Sequence, residues 1–282
     1  MGLYKSFKKC FYKKQTENKE IYPYGANEGS VKTRPKPVIH NIPRNNSFND
    51  IDNFLSGKPF VNGCFGSLYI NKNDDTVIKK FNFFKDYYHE KEVYQTLESN
   101  LLIKSICAYI SFNDNLKCIT MKNYNNDLLK YTNENGIMER TQCMKMCFNI
   151  NMGLFYINSK GYIYGDLKLE NVCLKNNDIN FPVIIDLGSC SKTKPTISLD
   201  TASPEALCNK ALNYKHDIWT LGILYMECIT TCCSNPNKVY KNIYPWYKGS
   251  MEEMQMLHDD IFFRNCTHIN PNERHCIFTY LQ

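Results

Sequence analysis

The chain has 282 residues, 43% of them apolar and 22% charged, with a formal net charge of +6. That length suits one large domain or two small ones, and no apolar run approaches the ~20 residues of a bilayer span. The N-terminus lacks the apolar stretch of a secretory leader, so an intracellular, cytoplasmic location is expected. The 14 cysteines are scattered without a recurring CxxC pair, which argues for reduced, partly buried thiols rather than a zinc site.

The charge is unevenly placed. Residues 1–50 carry ten Lys/Arg against four Asp/Glu, and the remaining residues carry 24 of each sign. This first stretch mixes Lys, Asn, Pro and Gly, and Pro35, Pro37 and Pro43 interrupt any regular element. It reads as a basic, disordered tail. Its start, Met1-Gly2-Leu3-Tyr4-Lys5-Ser6, matches the N-myristoylation pattern at Gly2. Lys5, Lys8, Lys9, Lys13 and Lys14 follow, and Cys10 is placed to take a palmitoyl chain. One acyl chain plus a basic cluster predicts contact with the cytoplasmic face of a membrane.

From residue 51 the texture changes. Short β-like runs occur at Leu68-Tyr69-Ile70, Thr76-Val77-Ile78 and Cys118-Ile119-Thr120-Met121. A helix is predicted over about 86–97, between the second and third runs. After residue 127 helical spacing dominates, as in Met144, Phe148, Met152 and Phe155 and again in Ile218, Leu221, Tyr225 and Ile229. A strand-rich part over about 51–124 and a helix-rich part over about 125–282 predict two lobes within one domain, with a cleft between them.

The first chemical signal is Asn62-Gly63-Cys64-Phe65-Gly66-Ser67-Leu68-Tyr69, a glycine-rich strand–turn–strand whose amides can approach phosphate oxygens. Alone it reads first as an ordinary hairpin. The next strand closes on Lys79, which can reach phosphates if a carboxylate holds it. Glu90, eleven residues on, shares a helical face with Val93, Tyr94 and Leu97, whereas Glu92 lies on another face. The decisive run is Tyr164-Gly165-Asp166-Leu167-Lys168-Leu169-Glu170-Asn171, followed by Ile184-Ile185-Asp186-Leu187-Gly188. Phosphoryl transfer needs an aligned hydroxyl, neutralised charge and held metal ions. Asp166 can take the hydroxyl proton, Lys168 can reach the transferring group, and Asn171 and Asp186 offer hard oxygen ligands for magnesium. Any one of these would be read as a turn or capping residue; the ordered set is not.

These runs, with Ser203-Pro204-Glu205, Asp217-Ile218-Trp219-Thr220-Leu221-Gly222 and Asn270-Pro271-Asn272-Glu273-Arg274, resemble the successive signatures of eukaryotic protein kinases. The resemblance spans about residues 53–282. It implies an α+β bilobal kinase fold, with a small β-rich N-lobe and a larger α-helical C-lobe, using ATP and Mg2+, with Mn2+ as a substitute. It further implies that Val61, Gly63, Gly66, Leu68, Val77 and Cys173 enclose the nucleotide, with Met121 as gatekeeper. Lys122, Asn123 and Tyr124 form the hinge, and Asp127 binds the ribose. Asp217 braces the catalytic-loop backbone, Glu205 and Arg274 form a buried ion pair, and Tyr164 joins an apolar spine with Tyr94 and Leu187. Ser198 stands where the family places a Thr that bonds the catalytic Asp and Lys. Lys168 with Glu170 is similar to the serine/threonine branch, so proteins are the expected substrates. A weaker resemblance is to the small kinases of baculoviruses and related large DNA viruses of insects.

Two departures stand out. Val61 replaces the first glycine of the loop, and Tyr164-Gly165 replaces the usual His-Arg before the catalytic aspartate. They motivate the alternative of a pseudokinase, a scaffold or binding module that keeps the fold. Small-molecule kinases share the fold too. No ordered nucleic-acid motif accompanies the basic tail.

Overall fold

This computed structural model describes residues 51, 54–63, 66–71, 73–97, 105–124, 126–230 and 256–275. The basic tail, with Gly2 and Cys10, and the residues Cys64 and Phe65 lie outside the described residues. The elements below all belong to the unit Pro59–Gln282.

Five antiparallel strands form the first layer: β1 (Val61–Asn62), β2 (Gly66–Asn71), β3 (Thr76–Phe81), β4 (Tyr109–Asn113) and β5 (Cys118–Lys122), in the order β1-β2-β3-β5-β4. Thr76, Ile78 and Phe81 of β3 are buried. The three predicted β runs fall inside β2, β3 and β5; β4 was not legible, because its polar-studded sequence leaves Ile110 exposed. Gly66 is dictated by the sheet itself, since a Cβ there would lie 2.1 Å from the Lys80 carbonyl oxygen across β2–β3. Helix α1 (Phe84–Leu97) buries Tyr87, Glu90, Val93, Tyr94 and Leu97, a stripe at helical spacing that leaves Glu92 exposed.

The second part is helical around a small sheet. Strands β6 (Asn126–Asp127), β7 (Val172–Leu174) and β8 (Pro182–Ile184) pair antiparallel in that order. The helices are α2 (Leu128–Asn135), α3 (Arg140–Ser159), α4 (Pro204–Leu207), α5 (Lys215–Ile229) and α6 (Ile261–Cys266). Every residue of α5 from His216 to Ile229 is buried, which makes it the central post of this lobe. Asp127, Glu139 and Asp260 cap α2, α3 and α6 through side-chain bonds from backbone amides.

The spacing of Met144, Phe148, Met152 and Phe155 does mark a helix, but this stripe is not the core face. Met144 and Phe155 are 43% and 61% exposed. Cys143, Met146, Cys147, Ile150, Leu154 and Ile157 face the interior instead. With apolar stripes on both sides, the helix is oriented by what it packs against, α5 and β8. The two lobes are stitched by backbone: Ile184 N–H donates to Ser105 O (2.8 Å) and Cys107 N–H to Ile184 O (2.8 Å). Tyr156 Oη of α3 also donates to Leu97 O, at the end of α1 (2.9 Å).

Candidate active site

Lys79 projects from β3 and reaches two carboxylates. Its Nζ is 2.7 Å from Glu90 Oε2 on α1 and 2.7 Å from Asp186 Oδ1 beyond β8. Asp186 takes the left-handed conformation (φ 54°) that turns its carboxylate to this position. Burial pulls the Lys79 ammonium down, but Glu90 and then Asp186 outweigh it and its pKa rises. Burial pushes the Glu90 carboxyl up to about 7 against the attraction of Lys79. Partial burial lifts the half-exposed Asp186, yet the Lys79 charge and hydrogen bond prevail and hold it below the usual carboxylate range. One Glu90 oxygen, Oε1, is buried without a partner.

Residues 164–171, the candidate catalytic loop, gather around Asp166. Its Oδ1 accepts from Ser198 Oγ (2.5 Å), and its Oδ2 from Lys168 Nζ (2.8 Å) and Asn171 Nδ2 (3.0 Å). Lys168 Nζ also donates to Ser198 Oγ (3.1 Å). Asn171 Nδ2 donates in addition to Asp166 O (2.9 Å). The nitrogen is therefore committed to Asp166, which leaves the amide oxygen as the atom free to ligate a metal. The Asn171 amide oxygen and the half-exposed Asp186 carboxylate are hard donors suited to magnesium, an ion that takes few protein ligands and completes its shell with water and phosphate.

The loop backbone is held from behind. Asp217, on α5, accepts from Tyr164 N (3.0 Å), Gly165 N (2.9 Å) and Asn158 Nδ2 (3.1 Å). Tyr164 is fully buried in one apolar cluster with Tyr94 and Leu187, and its Oη donates to Ile185 O (2.6 Å). Ile163 and Ser191 form an isolated antiparallel bridge that ties the segment after Asp186 to the residue before Tyr164. Arg274 grips Glu205 bidentately, Nη1 to Oε1 at 2.6 Å and Nη2 to Oε2 at 2.7 Å, with Arg274 fully buried. Burial raises the Glu205 carboxyl, and Arg274 more than reverses this.

Residues expected around a nucleotide fall on both sheets. Val77 pairs with Met121 across β3–β5, and Cys173 pairs with Asp127 across β6–β7. Met121 and Cys173 are buried, Leu68 and Val77 partly so, and Val61 is exposed. Gly63 N–H donates to Gly66 O (2.8 Å), closing the loop base. Asn123 is engaged elsewhere: its N–H donates to Asp75 O (2.9 Å) and its Nδ2 to Asp75 Oδ1 (3.2 Å), which ties the hinge to the β2–β3 turn. Asp127 Oδ1 accepts from Lys130 N (2.7 Å) as the cap of α2.

Three contacts were not read from the sequence. His89 Nε2 donates to Cys190 O (2.8 Å), Ser203 Oγ bonds His216 Nδ1 (2.8 Å), and His216 Nε2 bonds Gly165 O (3.1 Å). The one available signal was the adjacency of His216 to Asp217; the partners are remote in sequence.

A two-lobed α+β fold with a lysine held by two carboxylates across the cleft defines the protein-kinase fold class. The family model described as "Protein kinase domain" matches residues 67–281, and the chain belongs to that family. Among curated relatives, it is 26% identical over 241 residues to the "Probable serine/threonine-protein kinase 2" of Plasmodium falciparum, covering 79% of this chain and 43% of that protein. It is 28% identical over 192 residues to human "Serine/threonine-protein kinase Nek5", covering 61% and 27%. The "Aurora kinase" of Saccharomyces cerevisiae is 26% identical over 200 residues, covering 64% and 53%. The matched region thus spans about half or less of these relatives.

Proposed function

We propose that the chain is a serine/threonine protein kinase that transfers the γ-phosphoryl group of ATP to a protein hydroxyl. The observation that carries this reading is the set of bonds on Asp166, which holds its carboxylate between Lys168, Asn171 and Ser198. The names of the curated relatives and the Lys168–Glu170 pattern support the serine/threonine class.

Lys79, held by Glu90, would bind the phosphates of ATP, and Asn171 and Asp186 are the residues that would hold magnesium. Bound magnesium would offset the negative charge of the phosphate oxygens. Asp166 orients the substrate hydroxyl and accepts its proton as the hydroxyl oxygen bonds to the γ-phosphorus. The bond from that phosphorus to the bridging oxygen breaks, and ADP leaves with the electron pair. Lys168 balances charge on the moving group.

The test is transfer of labelled phosphate from ATP with magnesium to basic and acidic test proteins, with Asp166→Asn as the control. Transfer to Ser or Thr in the parent, cut roughly 100-fold or more in the variant, is the expected result. A parent that binds nucleotide but transfers nothing would be the non-catalytic scaffold instead.

A further inference from the structure

His216 lies immediately before the α5 aspartate and is fully buried, as is Ser203 at the start of α4. Its two ring nitrogens face two different parts of the site: Nδ1 is 2.8 Å from Ser203 Oγ, and Nε2 is 3.1 Å from Gly165 O. A carbonyl oxygen only accepts, so Nε2 carries a proton, and Nδ1 can then accept from the Ser203 hydroxyl. That hydroxyl also lies beside the Glu205 carboxylate, the partner of Arg274.

Gly165 O belongs to the peptide unit that leads into Asp166. Its preceding amide is held by Asp217 and its carbonyl by His216, so neighbouring residues of α5 fix the backbone on both sides of Gly165. Gly165 has no side chain with which to anchor itself, and its left-handed φ of +87° is one that only glycine adopts without strain. The orientation of the Asp166 peptide therefore depends on bonds to the backbone.

We propose that His216 is a positioning residue for the transfer reaction: it sets the Gly165–Asp166 peptide plane and links it through Ser203 to the end of the activation segment, residues 186–205. This inference rests on the kinase reading above. The donor to Gly165 O fixes the peptide at the base of the catalytic aspartate, and Ser203 holds the other side of the ring from the segment that carries Ser198–Ser203. A displacement of that aspartate on the order of 1 Å is enough to cost roughly 100-fold in rate.

The experiment separates the two halves of the ring. In His216→Gln the amide reaches the place of Nε2 and keeps the donor to Gly165; in His216→Asn it reaches only the place of Nδ1. The expected result is a kcat lowered roughly tenfold or more in His216→Asn, a kcat within a small factor of the parent in His216→Gln, and an unchanged KM for ATP in both. Equal kcat in parent and His216→Asn, or equal losses in both variants that track their thermal stability, would overturn the proposal. Nitrogen-15 spectra of histidine-labelled parent, with His216→Gln supplying the assignment, test the link without relying on a damaged fold. A proton on Nε2 is expected, and an unprotonated Nε2 would overturn it. The parent and Asp166→Asn are assayed alongside. A parent no faster than Asp166→Asn defeats the kinase reading, while the ring measurement still decides the hydrogen-bond link. An active parent with an unaffected His216→Asn defeats the positioning role alone.

Discussion

Gly165 and Pro195 meet so closely that a Cβ on Gly165 would lie 2.4 Å from the Pro195 Cβ. The catalytic loop and the activation segment are thus in contact at a residue whose lack of a side chain is a steric requirement. The Thr196 carbonyl oxygen would lie 2.8 Å from the same Cβ. Gly165→Arg, which restores the residue usual in the family, is expected to lower activity at least tenfold rather than raise it. Backbone strain of roughly 1–3 kcal/mol adds to the clash. Steady-state rates beside the melting temperature check this; an Arg variant faster than the parent would refute it.

Activity is expected without phosphate on the activation segment. Residues 186–205 contain no Arg, and position 165 offers none, so a phosphate there lacks its usual guanidinium partners. The segment is held by other means: the Ile163–Ser191 bridge, Thr196 N–H donating to Ser189 O (3.2 Å), and His89 donating to Cys190 O. Bacterially made protein is treated with phosphatase, examined by mass spectrometry for Ser189, Ser191, Thr193, Thr196 and Ser198, and assayed. A large fall in rate on dephosphorylation would be the contrary result.

Lys79→Met is expected to reduce transfer roughly 100-fold while leaving the fold nearly as stable. Removing the ammonium leaves Glu90 buried, but burial already pushes that carboxyl up to about 7, so it takes a proton instead of remaining an uncompensated charge. Rates and melting curves are compared for parent and variant. A collapse in stability to match the lost rate would show that Lys79 holds the lobe together rather than the phosphates.

Arg274→Met leaves the Glu205 carboxylate buried without its cation. Breaking a buried pair in this way costs roughly 3–5 kcal/mol. Adding Glu205→Gln is expected to recover a substantial part of that loss, because the orphaned charge is then gone. Urea unfolding of the two single variants and the double variant provides the cycle, and strict additivity would contradict it.

Glu227, buried in α5, has its carboxyl pushed up to about 8 by burial, with Glu170 and Asp200 adding repulsion. A folded-state pKa above the usual carboxylate value means the folded protein prefers the protonated form. That stability is fully present below the ordinary carboxylate pKa of about 4.3 and is lost as pH rises through about 8. Glu227→Gln should therefore gain on the parent as pH rises from about 5 to about 8, with a melting temperature moving roughly 2–4 °C for each kcal/mol. A gap between the two proteins that stays constant with pH would count against this assignment.

Much was legible in the sequence alone. The change from strand-rich to helix-rich texture near residue 125 reflects local periodicity, and periodicity survives without tertiary contacts. Asp166, Lys168 and Asn171 occur within six consecutive residues and meet in the structure for that reason. Helical register alone separated Glu90 from Glu92. Other features required the packed chain. Lys79 and Asp186 are separated by 107 positions, and only the closing of one lobe on the other brings them to 2.7 Å. Spacing indicated that Met144 and Phe155 sit on a helix, but which of two apolar stripes turned inward was decided by α5 and β8. Gly165 reads in sequence as a missing arginine; in the fold it is the point where Pro195 needs room. His216 reads as an unremarked neighbour of Asp217 until α5, buried on all sides, brings its ring between Ser203 and Gly165, residues whose positions the chain alone does not specify.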